Sequence, residues 1–267
     1  MKRYLDFYLT SMKIAIMEQI QYQVANYFYM IGMIAEPVIY LVVWSTVANA
    51  QGGEVGGYTA GQFAAYYIVW TLVRNMNIVF TPYGWEWRIQ RGQLSSALLR
   101  PIHPLHSDVA FFAGWKFVVI VLWLPLAAIL ALIFKPTLSP TWIEVVVFFF
   151  AIWGAYLLRT MLLSLLGMIT FWTTRVSAIY ELFFALELIL SGRLVPMSLM
   201  PQWVQNVSDF LPFKWAFQYP IEALVGHLPA QELFSGLGMQ VLWILIGTFL
   251  VGIVWRMGIK RFSAVGN

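Results

Sequence analysis

The sequence predicts an all-α integral membrane protein. Six transmembrane helices are expected, with an N-terminal interfacial elbow helix, a short cytoplasmic helix after the second span and re-entrant outer helices before the sixth. Three observations carry this. First, 61% of the 267 residues are hydrophobic and only 10% are charged, against about 45–50% and about 25% in an average soluble domain. Such a chain lacks the polar atoms to cover a water-facing surface, and it is too apolar to be disordered. Second, six apolar stretches reach the roughly 20 residues that a helix needs to cross the hydrocarbon core. Third, the basic residues gather at one set of span ends.

The first element, residues 1–22, reads as an amphipathic helix lying on the inner surface. Leu5, Leu9, Met12, Ile16 and Ile20 repeat at helical spacing, with Asp6, Thr10, Lys13 and Gln21 largely opposite. These residues mix charge with apolar side chains and form no continuous h-region, so no cleavable signal is expected. The spans follow at about 24–47, 62–81, 109–134, 143–171, 176–195 and 236–257. No connecting loop holds a further soluble domain of ordinary size, so 1–267 is expected to be a single transmembrane domain.

Orientation comes from sorting the sixteen Lys and Arg residues. Lys2, Arg3, Lys13, Arg88, Arg91, Arg100, Arg175, Arg256, Lys260 and Arg261 fall at one set of ends. Lys135, Arg193 and Lys214 fall at the other, and Arg74, Lys116 and Arg159 lie within spans. The positive-inside rule places both termini in the cytoplasm, as an even number of spans requires. The net charge of +4 is scattered rather than patched, so no nucleic acid is expected as a partner. Trp44, Trp142, Trp203 and Trp215 mark the outer interface, and Trp85, Trp87, Trp172 and Trp255 the inner one.

Two connecting segments stand out. In 82–107, a helical stretch over about Trp85–Leu99 is isolated between Pro82 and Pro101. Its charged residues Glu86, Arg88 and Arg91, with Arg100, could meet a soluble partner. The outer segment 192–235 carries Pro196, Pro201, Pro212, Pro220 and Pro229 among apolar and aromatic residues. Short re-entrant or interfacial helices capping the outer mouth are expected, because broken helices at membrane depth need protein or water to satisfy their backbone.

Much chemistry is excluded. There is no cysteine, hence no disulfide, zinc–thiolate site or cysteine nucleophile. None of the six lysines precedes Ser or Thr, so a Walker A loop is absent, as is H-E-x-x-H. His103, His106 and His227 all fall outside the predicted spans, and Pro104 argues against His103 and His106 sharing a regular helix as metal ligands. No cofactor or metal is expected on this chain.

Charge within a span costs at least about 2.5–3.5 kcal/mol and calls for a function or a partner. Glu36, Arg74, Arg159, Glu181 and Glu187 are the intramembrane candidates, with Lys116 beside them. Glu181 and Glu187 are six residues apart and point about 120° from one another on a helix, so they do not form one carboxylate pair. Arg159 is expected to pair with Glu187 between the fourth and fifth spans. Glu36, just before Pro37, is expected to face a central pathway.

The order of these parts resembles the ABC-2-type exporter permeases, and among them a less characterised bacterial branch. The matching stretches are Arg91-Gly92-Gln93-Leu94 to Leu98-Leu99-Arg100-Pro101; Ser191-Gly192-Arg193-Leu194-Val195-Pro196 with Met200-Pro201-Gln202-Trp203; Leu211-Pro212-Phe213 leading to Tyr219-Pro220; and the tail Lys260-Arg261-Phe262-Ser263-Ala264-Val265-Gly266. The resemblance implies a non-catalytic permease in a bacterial inner membrane, among membrane lipids. It implies pairing with a second permease copy or paralogue and with two ABC ATPase subunits, which would hold the ATP and Mg. It also makes the helix at 85–99 a coupling helix, in which Trp85, Glu86, Arg88, Arg91, Gln93 and Leu94 would dock on the ATPase. The competing expectations are an ATP-independent transporter or substrate-binding membrane component and, more remotely, an intramembrane enzyme, for which no reactive constellation is visible.

Overall fold

The computed structural model describes residues 2–173, 175–226 and 228–262. His227 and residues 263–266 of the tail motif lie outside the described residues. Among the described residues the regular structure is helical, apart from one hairpin of two-residue strands, β1 (Glu54–Val55) paired with β2 (Tyr58–Thr59). The hairpin turns on Gly56 and Gly57, both at positive φ (55° and 86°), the requirement of a tight primed turn.

The elements run α1 (Lys2–Gln21), α2 (Gln23–Ala50), α3 (Ala60–Met76), α4 (Pro82–Gln90), α5 (Leu94–Leu98), α6 (Pro104–Phe134), α7 (Trp142–Met168), α8 (Ser177–Leu190), α9 (Gln202–Asp209), α10 (Pro212–Ala216), α11 (Gln218–Val225) and α12 (Ala230–Gly258). Their starts follow local chemistry. Thr59 with Gln62 and Thr141 with Glu144 form capping boxes at the heads of α3 and α7, each satisfying two amide donors that would otherwise lack partners. Pro82 and Pro104 open α4 and α6 at the first helical turn, where a missing N–H costs nothing.

Among the described residues, four helices are long and apolar enough to cross a membrane: Gln23–Ala50, Pro104–Phe134, Trp142–Phe171 and Ala230–Gly258. The other two expected spans are shorter. The 17 residues of α3 rise about 26 Å and the 14 residues of α8 about 21 Å, against a hydrocarbon core of about 30 Å. The fifth predicted span therefore stops at Leu190 instead of 195. The cause is Gly192, at φ 78°, where the chain turns so tightly that a Cβ would lie 2.8 Å from Gln218 Cβ.

α7 is the central post. It packs against α12, α11, α10 and α4 and touches α3 and α6, and Ala151, Ala155, Tyr156 and Leu158 on it are fully or almost fully buried. Tyr156 Oη donates to Val109 O of α6 at 2.7 Å. Gln240 of α12 donates to both Ala151 O (2.9 Å) and Trp215 O (2.8 Å), stitching α12, α7 and the α10 segment. In contrast α2, α6 and α12 keep apolar faces outward (Phe28, Leu132 and Phe249 are among the exposed side chains), as expected of helices bathed in lipid.

α1 lies along α6 and buries part of its apolar stripe there, with Met12 and Ile16 packed inward. Ala15 is fully buried, and Gly114 of α6 sits so close that a Cβ would come within 2.5 Å of Met12 O. Leu5, Leu9 and Ile20 remain exposed. Small residues at the crossing let the backbones approach, leaving these three side chains of the stripe facing outward. Tyr8 of α1 hydrogen-bonds His106 (2.7 Å), and Trp85 and His103 contact Trp255 of α12. The two ends of the described chain and the 82–107 segment thus share one end of the bundle, called here the basic end.

Candidate functional site

Two broken segments meet inside the bundle. One is the turn after α8, held by Tyr66 Oη donating to Gly192 O (2.8 Å), Tyr67 Oη donating to Leu194 O (2.9 Å) and Ser208 Oγ donating to Leu190 O (2.7 Å). The other is the break between α10 and α11 at Phe217, fully buried. Gln218 N donates to Ser191 O (3.1 Å) across the two, and Asn77 Nδ2 at the end of α3 donates to Ala216 O (2.6 Å). Irregular backbone at such depth is tolerated because protein groups take up its hydrogen bonds. The proline-rich segment expected to cap the outer mouth therefore also dips inward, as far as the C-terminal end of α3.

At this junction five charged side chains join. Arg74 Nη1 is 2.5 Å from Glu36 Oε2, and Arg193 Nη2 is 3.5 Å from Glu36 Oε1. Arg193 Nη1 and Arg159 Nη2 both reach Glu187 Oε2, at 3.1 and 3.0 Å. Aromatic faces cover the guanidiniums: Arg159 and Arg193 flank Phe217 (5.0 and 5.2 Å to the centroid), and Arg74 and Arg193 flank Trp70 (5.3 and 5.8 Å). Cation–π attraction strengthens when the cation is desolvated. Arg159 sits about 14 Å from the basic end of α7.

The expected contact between Arg159 and Glu187 is present. Glu36 faces Arg74 and Arg193, and α2 runs on through Pro37. Glu181 stands apart and accepts a hydrogen bond from Tyr83 Oη (3.2 Å). Arg193, placed by charge sorting at the outer ends, is instead 2% exposed within the cluster. Sequence reasoning missed it because only the glycine turn returns it to the interior; the Ser191-Gly192 pair was the available signal.

Lys116 is fully buried. Its Nζ donates to Asn75 O (3.3 Å) and to Ile78 O, carbonyls at the C-terminal end of α3, where the helix dipole favours a cation. It fixes the α3–α4 turn.

In the 82–107 segment the single predicted helix is two, α4 and α5, broken at Gly92 (φ 69°). Its residues divide sharply. Trp85 and Leu94 are fully buried, and Gly167 of α7 leaves the room that Trp85 occupies, since a Cβ there would lie 2.4 Å from Trp85 Cβ. Arg88 makes a two-pronged contact with Asp108 of α6 (2.9 and 2.8 Å) and lies over Phe80, 4.0 Å from its centroid. Glu86 Oε2 accepts from Val176 N (3.2 Å), just ahead of α8. Trp85 and Leu94 are therefore internal anchors rather than docking surface, while half-buried Arg88 is tied to Asp108 by this chain. Arg91 and Gln93 are exposed, together with Trp87, Leu98, Leu99 and Arg100.

Among the described residues no group of three or more His, Asp or Glu side chains could hold a metal. His103 is the N-cap of α6, accepting from Leu105 N (3.2 Å). Burial, with His106 nearby, pushes its pKa down to about 4, so it stays neutral at ordinary pH. At the opposite end, Glu222 of α11 is buried beside Tyr58 Oη (3.4 Å) and Gln218 Nε2 (2.5 Å). Burial pushes its pKa up to about 7.

No curated protein matches the sequence. A family model described as ABC-2 family transporter protein matches residues 14–266, nearly the whole chain. With its apolar spanning helices, the chain is a multi-pass membrane protein and a membrane component of an ABC transporter: it belongs to the ABC-2 transporter family.

Proposed function

We propose that this chain is the permease subunit of an ATP-driven exporter, moving a hydrophobic or amphipathic substrate out of the cytoplasm or inner leaflet. It would work with a second permease copy or paralogue and with two ATPase subunits that hold ATP and Mg. The observation that carries this reading is the build of the α4–α5 unit. Its inner side is locked to α7 by Trp85, to α6 by the Arg88–Asp108 contact and to the start of α8 by Glu86. Its outer rim offers Arg91, Leu98, Leu99 and Arg100 to a partner. A push on that rim passes directly to α7 and α8, the helices that carry Arg159 and Glu187. The chain supplies the lever and the charged interior, and hydrolysis belongs to the partner.

The test is co-purification of the tagged chain with its ATPase, followed by ATPase activity in reconstituted vesicles. Leu99→Asp and Arg100→Glu are expected to abolish association while the chain still folds. Transport driven by an ion gradient, with no ATPase present, would overturn the proposal in favour of an ATP-independent transporter.

A further inference from the structure

The charge cluster encloses a cavity of about 190 Å³. Arg74, Arg159 and Arg193 all line it, and no carboxylate does so among the described residues. The ion pairs behind it join these three guanidiniums to two carboxylates, Glu36 and Glu187, which leaves one positive charge in excess. Lys116 does not alter the balance at the cavity, since its ammonium is turned onto backbone carbonyls of the α3–α4 turn. Arg159 Nε and Arg193 Nε are buried with no hydrogen-bond partner. Arg159 and Arg193 are buried while Arg74 stays partly exposed; an excess charge largely removed from water calls for a counter-ion, and guanidiniums match oxyanions in shape as well as charge.

The size limits what fits. Sites for drug-sized ligands span about 300–1,000 Å³, so this cavity takes a headgroup and not a whole amphiphile. Its rim is apolar where α2 and α8 face outward: Tyr29 is 50% and Phe184 38% exposed. A chain attached to the headgroup has a path past these two rings to the lipid-facing surface.

We propose, building on the transport function above, that the cavity is the headgroup subsite for a monoanionic amphiphile. Its phosphodiester or carboxylate sits among Arg74, Arg159 and Arg193, and its acyl chain leaves past Tyr29 and Phe184. One excess positive charge selects a monoanion; a dianion would leave the site net negative. A zwitterionic headgroup would bring a second cation against the arginines.

The experiment uses the full chain, delipidated in a neutral detergent, with bound lipid measured by native mass spectrometry. Dioleoyl phosphatidylglycerol, oleate, dioleoyl phosphatidylcholine and inorganic phosphate are titrated separately and in competition. Phosphatidylglycerol and oleate are expected to saturate one site, at least about tenfold more tightly than phosphatidylcholine, as a charge-assisted contact of 1.4 kcal/mol or more requires. Arg159→Gln should lose that preference, and Arg159→Lys should keep part of it. Ile78→Trp fills the cavity while leaving all five charged side chains of the cluster in the sequence, so its loss of binding would not come from deleting an ion-pair partner. Equal binding of all headgroups, or unchanged binding by folded Arg159→Gln and Ile78→Trp, would overturn the subsite. Inorganic phosphate competing as well as phosphatidylglycerol would overturn the amphiphile. None of these measurements needs the ATPase: a failed subsite with intact ATPase association rejects only this inference. An intact subsite without association rejects the coupling.

Discussion

Glu187 and Arg193 are six residues apart in the chain, yet Arg193 Nη1 lies 3.1 Å from Glu187 Oε2. On an uninterrupted helix they would point about 120° apart. The turn at Ser191–Gly192 ends α8 and folds the guanidinium back onto the carboxylate, which Arg159 shares. Glu187 is 1% exposed and is the single carboxylate between two buried cations. Glu187→Gln is therefore expected to destabilise the protein by about 3–5 kcal/mol, the usual cost of removing one partner of a buried pair. Thermal unfolding in detergent measures it. A double-mutant cycle with Arg159→Met should return a coupling of about 0.5–3 kcal/mol; no coupling would mean that the contact carries no energy.

Arg88 separates an anchor from a docking surface. Removing it leaves Asp108 buried without its partner, so Arg88→Ala is expected to cost about 3–5 kcal/mol in stability. Asp108→Asn in the same chain should restore part of that, because the isolated buried charge is gone. Leu99, 89% exposed, is the opposite case, and Leu99→Asp should leave the stability within about 0.5 kcal/mol of wild type. A matching loss of stability in both would show that the two residues do not divide into anchor and rim.

Four of the six expected spans were legible in the sequence as helices long and apolar enough to cross lipid, whereas α3 and α8 are shorter than their apolar stretches suggested. The contact between Arg159 and Glu187 was legible too, since buried opposite charges on adjacent spans have few other partners. Arg193 was not, because its position depends on a glycine turn and on hydrogen bonds from Tyr66 and Tyr67, far away in the chain. The docking assignment of Trp85 and Leu94 failed for a related reason. A loop's composition reveals that it is basic, but not which side chains the rest of the fold consumes. The hairpin at 54–59 was not anticipated, because its two-residue strands are too short to show a strand period and Gly56-Gly57 alone marks only a turn.

Glu222 gives the opposite end of the molecule a pH dependence. Its ordinary value of 4.5 rises to about 7, so the folded chain holds the proton over a range in which the unfolded chain has lost it. The neutral carboxyl's advantage is complete below about 4.5 and is lost as the pH rises through about 7, by on the order of 3 kcal/mol. Glu222→Gln cannot ionise. Melting curves of the two proteins from pH 4 to pH 8 should diverge, with wild type falling relative to the variant across that window. Parallel curves would mean that Glu222 ionises normally in the fold.

The sidedness expected from the charge distribution can be tested directly, because the chain has no cysteine to remove. Gln51, exposed just after α2, and Ser96, exposed on α5, lie at opposite ends of the bundle. The basic end carries Arg88, Arg91, Arg100 and Arg256, and the positive-inside rule directs it to the cytoplasm. In intact spheroplasts Gln51→Cys should react with a membrane-impermeant maleimide, and Ser96→Cys should react only after permeabilisation. The reverse pattern would turn the molecule over and move the α4–α5 rim out of reach of any cytoplasmic ATPase. Labelling of both from outside would show that the segment between them does not cross the membrane as α3 and its neighbours require.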